Sequence, residues 1–361
     1  MAHQAKNSDN HTTFADIIFT KRYRKAQNDF LNQIDTLIDW RPIRTLINKK
    51  YTKRQNAVGA PAYDAILLFK MLLLQTWYHL SDCALEERIN DSITFSRFLG
   101  LKLEDVSPDH STISRFRSAL TDAGLMDKLL DLFNKQLSRH HISVKEGVLV
   151  DASIVETPHK PGGHVTIEVA GDREDLRSAE EKEAEEDYQK LVVRQRKGTD
   201  GEARWVYKQS RYRYGYKKHC LTNIQGIVQR VITTPANRSD TKEFIPLMEG
   251  MAIPEGTAVL ADKGYASQEN RSYLHARQLQ DGIMHKAQRN RALTEQERRR
   301  NKTISPIRST IERTFGSIRR WFGGGRCRYR GLAKTHTQNI LESIAFNLYR
   351  TPGIIVSSWA G

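Results

Sequence analysis

Apolar residues recur at three- and four-residue spacing from Phe14 to Ile47 and again from Tyr63 to Leu80, so the chain up to about residue 140 predicts helices. The turn-rich stretch Asn56 to Pro61 separates the two runs. A third helix is predicted from about Ser81 to Asn90, ahead of Phe95 and Phe98. Ser107-Pro108-Asp109-His110-Ser111-Thr112 then offers a helix start before Ile113 to Arg117. Short helices with tight turns resemble a helix-turn-helix, although a packing helix fits the stretch Ser107 to Leu120 equally well. The longest apolar run, Ala65 to Leu74, contains Lys70 and falls short of the roughly 20 residues a bilayer-spanning helix needs. It predicts a buried helix and no membrane partner.

From Val144 the periodicity changes. Gly147 to Val150 is a compact apolar run ending at Asp151, which places a domain boundary near residue 142. Strands are predicted at Tyr216 to Thr222 and Ile227 to Thr233, joined by a hairpin turn at Asn223 to Gly226. A helix at about Thr241 to Gly250 follows, then the strand Thr257 to Asp262, a helix at about Gln268 to Gln278 and a short strand near Gly282 to His285. Ile304, Ile307, Ile311, Phe315, Ile318 and Phe322 form one apolar stripe of an amphipathic helix. The predicted organisation is therefore an N-terminal helical domain (1–142), an α/β or α+β domain with a mixed sheet (143–350) carrying an insertion at about 157–210 after its first strand, and a tail (351–361). Within that insertion, Asp172 to Asp187 holds nine carboxylates and three basic residues and reads as an exposed helical or hairpin arm.

Composition narrows the partners. Across 361 residues, lysine and arginine outnumber aspartate and glutamate by 57 to 42, a formal charge of +15 that favours a polyanion. Lys286 to Arg330 alone carries a net charge of +11, so the excess concentrates around the last amphipathic helix. Trp205 to Lys218 interleaves aromatics with arginine and lysine; it suits stacking on unpaired bases and equally an edge strand whose aromatics cover a core. Cys83, Cys220 and Cys327 lie more than 100 residues apart, which suggests neither a disulfide framework nor a cysteine zinc site. The N-terminal stretch lacks the features of a secretory signal, and a cytoplasmic, nucleoid-associated protein is expected.

Candidate chemistry rests on three acids. Asp151 and Asp262 each end an apolar strand, where a side chain can emerge beside a neighbouring strand. Taken singly, such an aspartate is more often a turn former or cap. On the amphipathic helix, Arg308, Glu312 and Arg319 fall within roughly a 40° arc beside the apolar stripe. That pattern fits a catalytic carboxylate between two guanidinium groups, and as well a surface Arg308–Glu312 pair contributing a few tenths of a kcal/mol. Three carboxylates from two strands and one helix can hold two magnesium ions against a phosphodiester, one activating the nucleophile and one stabilising the leaving oxygen.

The segments VLVDAS around Asp151, LADKGYAS around Asp262 and RSTIERTFGSIRRW around Glu312 resemble the three acidic blocks of DDE transposases of bacterial insertion sequences, in particular insertion-sequence family five. The last family block, Y-x2-R-x3-E-x6-K, is matched by Arg308, Glu312 and, at the lysine position, Arg319, with Ser305 in place of the tyrosine. The middle block's D-x-G-Y stands intact as Asp262, Lys263, Gly264 and Tyr265. TTPANRSD resembles the family segment before it, making Asn237 and Asp240 supporting candidates, with a helix cap the preferred reading of Asp240.

The resemblance implies an RNase H-like catalytic domain, with Asp151, Asp262 and Glu312 holding two Mg2+ per active site and Mn2+ able to substitute. It implies cutting of insertion-sequence ends and joining of their 3'-hydroxyls to target DNA, with terminal inverted repeats and target DNA as partners and a homodimer as the simplest assembly. Arg308, Arg319, Lys263 and Tyr265 are then expected at the DNA. Lys217 and His219, on one face of the strand YGYKKH, are expected near the scissile phosphate or flanking DNA, and Arg115 and Arg117 at the inverted repeat. Two rivals share these features: an RNase H-like nuclease without strand transfer, and a non-catalytic DNA-binding regulator.

Overall fold

Residues 25–51, 63–102, 104–140, 147–162, 166–168, 192–194, 198–287 and 289–359 are described by the structure, a computed structural model. In the N-terminal half, polar residues that satisfy free backbone N–H groups fix where helices begin. Helices α1 (Lys25–Leu37) and α2 (Trp40–Lys50) are separated at Asp39, whose carboxylate accepts from the Arg41 N–H. After α3 (Ala65–Trp77), Ser81 caps α4 (Asp82–Asp91) and Ser92 caps α5 (Ile93–Leu99). Asp109, in the start segment read from sequence, caps α6 (His110–Asp122), and α7 (Met126–Leu137) follows. The residues before 25, where the first apolar run begins, and 141–146, which hold the predicted boundary, lie outside the described residues.

Helix α3 is buried on nearly every side, as its unbroken apolar run predicts. Its single charge is neutralised in place: the Lys70 ammonium donates to Asp35 at 2.5 Å and lies over the Trp40 and Phe98 rings.

The second half is built on a mixed sheet. Its strands are β1 (Val148–Glu156), β4 (Arg204–Lys208), β5 (Arg211–Asn223), β6 (Val228–Pro235), β7 (Ala258–Ala261) and β8 (Gln280–Ile283), while β2 (Thr166–Glu168) and β3 (Val192–Arg194) form a separate antiparallel pair. Strand β5 pairs with β6, β4 and β1 in antiparallel fashion, and β1, β7 and β8 run parallel. The parallel strands need crossovers, and the first passes through the short α8 (Phe244–Met248), shorter than its predicted range because Asp240–Glu243 form a 3-10 turn. The second uses α9 (Gln268–Ala276). Gly226 closes the β5–β6 hairpin at φ +83°, and an added Cβ there would press on Thr314 Oγ1 at 2.7 Å, so turn geometry and close approach both call for glycine. The acidic arm lies in the insertion between β2 and β3, outside the described residues.

Two long helices close the fold. Helix α10 (Glu295–Phe322) begins nine residues before the predicted Ile304, because Thr294 and Glu297 form a reciprocal capping box. Helix α11 (Leu332–Trp359) runs on through most of the expected tail 351–361, with Pro352 inside it.

One apolar cluster contains Phe69, Phe116 and Phe133 of the N-terminal helices together with Ile311 of α10 and Ile344 of α11. The two halves therefore share a core. Within it, the Lys218 ammonium donates at 3.0 Å to Glu342, whose other oxygen accepts from Gln338, which joins β5 to α11 through a buried ion pair.

Candidate active site

The parallel register Val150↔Ala261 sets Asp262, just past the end of β7, beside Asp151, which lies inside β1 rather than at its end as the sequence predicts, because β1 stays paired with β5 as far as Glu156. The carboxyl end of β7 opens there the kind of crevice in which ligands of α/β sheets bind. Each aspartate is oriented by a backbone N–H: Asp151 Oδ1 accepts from Ala152 at 2.8 Å and Asp262 Oδ1 from Lys263 at 2.7 Å. Asp262 thereby also caps the 3-10 turn Lys263–Tyr265.

Helix α10 crosses above them with Ile311, Phe315 and Ile318 buried and Glu312 exposed. One turn before Glu312, the Arg308 guanidinium reaches all three acids. Its Nη2 lies 2.8 Å from Asp151 Oδ2 and 3.2 Å from Glu312 Oε1, and Nη1 lies 3.9 Å from Asp262 Oδ1. Three carboxylates around one buried cation leave the cluster net negative.

Burial pushes the Asp151 carboxyl above the ordinary carboxylate range against the pull of Arg308 and the Ala152 N–H, and the neighbouring Asp262 charge adds to the rise. Burial works against the charge on Arg308, but its three carboxylate neighbours hold it above its usual value. Among the described residues, no three His, Cys, Asp or Glu side chains already form a ready metal cage. The set nevertheless fits a divalent cation: its donors are hard, anionic oxygens, and the position between them already attracts positive charge.

Arg319, three turns further along α10, donates to Ser153 Oγ at 2.8 Å. Sequence reasoning passed over Ser153, although standing two residues after Asp151 places it on the same strand face. Lys263 is exposed beside Asp262, and Arg115 is exposed on α6 with a bond to Ser111 Oγ at 3.0 Å.

Four expected DNA contacts are turned inward. Tyr265 is fully buried against Phe244, and burial raises its phenol well above the usual value. Arg117 is buried, donates to Asp82 and to Gln75 and stacks on the Tyr329 ring, so it ties α6 to α3 and α4. Lys217 and His219 do share a face, but the antiparallel register Asp151↔Cys220 and Ala152↔His219 puts that face on the opposite side of the sheet from Asp151. There the Lys217 ammonium donates to Asp240 Oδ1 at 2.8 Å and to the Arg238 carbonyl. Asp240 makes that ion pair in place of the cap read from sequence, and Asn237 stands at the surface of the same turn.

His219 Nε2 lies 2.9 Å from Thr234 Oγ1, and burial lowers the imidazole from 6.5 to about 4, so it is neutral beside Asp240. A depressed histidine pKa means that below pH 6.5 the unfolded chain takes up a proton which the folded chain refuses until about pH 4. Acidification across that window should remove about 3 kcal/mol of stability. Urea denaturation at pH 7 and pH 4.5 should show a larger loss for the wild type than for His219→Gln; equal losses would contradict the buried, neutral assignment.

Comparison with known proteins shows the family of the chain. A family profile described as a transposase DDE domain matches residues 142–348, and a transposase-domain profile, DUF772, matches residues 19–119. The transposase for insertion sequence element IS1106 of Neisseria meningitidis serogroup B is 37% identical over 238 residues, covering 65% of this chain and 76% of the relative. Among solved structures, the piggyBac transposase synaptic complex with hairpin DNA aligns at a TM-score of 0.47 and 11% identity, over 94% of this chain and 78% of that one. The Mos1 strand transfer complex aligns at 0.19 and 9% identity, over 93% and 98%.

Proposed function

Because the chain belongs to the transposase DDE-domain family, we propose that Asp151, Asp262 and Glu312 are the catalytic carboxylates with which it cuts insertion-sequence ends and joins their 3'-hydroxyls to target DNA. It is a transposase, a metal-dependent enzyme of DNA strand cleavage and transfer. The observation that carries the residue assignment is the meeting of three sequence-distant acids around one guanidinium.

Two Mg2+ ions, with Mn2+ as substitute, would be held by Asp151, Asp262 and Glu312 and would activate the attacking oxygen while stabilising the leaving one. The chain's own part is positioning. Arg308 balances the acids before DNA arrives and is placed to take a phosphate oxygen afterwards. Arg319 lies about 16 Å further along the helix axis and offers a second phosphate grip, with exposed Lys263 beside Asp262 a third. The inward-facing Lys217 and His219 keep the turn after β6 in place from the far side of the sheet.

Exposed Arg115 on the helix-turn-helix-like α4–α6 region is the N-terminal candidate for reading the inverted repeat. A homodimer acting in the cytoplasm on two DNA ends completes the reading. No helix among the described residues is long and apolar enough to cross a membrane.

A strand-joining assay tests the proposal. Duplex oligonucleotides carrying the element's end with a free 3'-hydroxyl are incubated with supercoiled plasmid and MgCl2. Covalent joining is expected. Cleavage of the ends without any joining would contradict strand transfer and leave a nuclease.

A further inference from the structure

Strands β4 and β5 extend past the sheet as a two-stranded ribbon closed at Gln209 and Ser210, both with positive φ, which gives the tight two-residue turn of a hairpin. Cross-strand pairing places Trp205 opposite Tyr214 and Tyr207 opposite Tyr212, with ring centroids 5.1 and 4.9 Å apart. Tyr214 is buried, where its hydroxyl donates to the Asp200 carbonyl. The other three rings face solvent, with Trp205 43%, Tyr207 62% and Tyr212 70% exposed. They do not cover a core.

The opposite face of the ribbon is basic. Residues 204–213 contain Arg204, Lys208, Arg211 and Arg213 and no acid. One carboxylate, Glu156 at the end of β1, accepts from Arg211 and Arg213, so the ribbon keeps a surplus of positive charge.

Strand parity sets the direction in which the rings look. Tyr212 and Tyr214 share the face of β5 that includes Lys218 and Cys220, and Cys220 stands opposite Asp151. The aromatic row therefore lies on the catalytic face, starting at Tyr214, about 20 Å along β5 from Cys220, the partner of Asp151. Exposed rings need a partner with flat apolar surfaces, and the charge around them selects an anionic one. Pairing of the ribbon with its own copy about a twofold axis would set like charge against like.

We propose that the β4–β5 ribbon is a stacking platform for unpaired DNA bases beside the catalytic centre, with Trp205, Tyr207 and Tyr212 as the stacking residues. This rests on the reading of the chain as a DNA-processing enzyme and adds a surface that holds unpaired nucleotides.

The test uses the full-length protein with two fluorescein-labelled probes, a 20-nucleotide oligo(dT) and a 20-base-pair duplex of mixed sequence, followed by anisotropy. The triple variant Trp205→Ala, Tyr207→Ala, Tyr212→Ala should bind oligo(dT) at least about tenfold more weakly, with duplex affinity within about twofold of wild type. Tyr207→Phe and Tyr212→Phe should keep oligo(dT) binding, and the single variant Tyr212→Ala gives the same reading if the triple variant fails to fold. Unchanged oligo(dT) binding in folded variants would overturn the proposal. So would equal loss on both probes, or loss of a dimer in light scattering with oligo(dT) affinity intact, which would assign the ribbon to a protein contact. Asp262→Asn separates this from the catalytic reading: cleavage by that variant would remove the assigned acids, while the oligo(dT) result alone decides the ribbon.

Discussion

Asp262→Asn is expected to lower strand cleavage by about a thousandfold or more while leaving the protein folded. The side chain is partly exposed, and its structural duty is to accept one hydrogen bond from the Lys263 N–H, which an asparagine carbonyl also accepts. Stability should therefore change by less than about 0.5 kcal/mol. The variant loses the formal charge and one anionic donor, so divalent ions bind more weakly and the charge developing at phosphorus is no longer offset. Initial cleavage rates on an end-bearing duplex, with thermal unfolding as control, measure both effects. Wild-type rates in the folded variant would remove Asp262 from the site.

Arg308→Met should produce the largest effect on stability. The substitution keeps much of the apolar stem but removes the cation that Asp151 and Glu312 contact within 3.2 Å. Asp151 is left in a crevice without its counter-charge, at a cost of about 3 kcal/mol when divalent ions are absent. Magnesium should restore most of that loss, because a cation bound by the same oxygens replaces the missing charge and favours the folded state by mass action. Urea denaturation of wild type and variant with EDTA and with MgCl2 forms a four-way comparison. The account predicts a much larger gain from MgCl2 in the variant; equal gains in both proteins would contradict a shared cation position.

Much of this site was readable from residue order. The apolar run before Asp262 is β7, whereas β1 runs on past Asp151 to Glu156 because its pairing with β5 continues; the placement of Arg308, Glu312 and Arg319 beside one stripe follows from helical period. Local pattern fixes which residues share a face but not which way the face looks. The pairing Asp151↔Cys220 decides that, and it turned Lys217 and His219 to the far side of the sheet. Tyr265 looks accessible in D-x-G-Y, yet the turn capped by Asp262 drives its ring into the core under Phe244. Arg117 reads as a surface base on a short helix, whereas buried Gln75 and partly buried Asp82 supply partners from helices distant in sequence. In each case long-range packing, which no local spacing encodes, decided the outcome.

The central claim is that three carboxylates from β1, the end of β7 and α10 form one divalent-cation centre. Anomalous diffraction from crystals grown with MnCl2 tests it most directly. The account predicts manganese peaks among Asp151, Asp262 and Glu312, with Arg308 displaced from its contact with Asp151. Saturating manganese that leaves this crevice without a peak, and the Arg308–Asp151 pair intact, would contradict it.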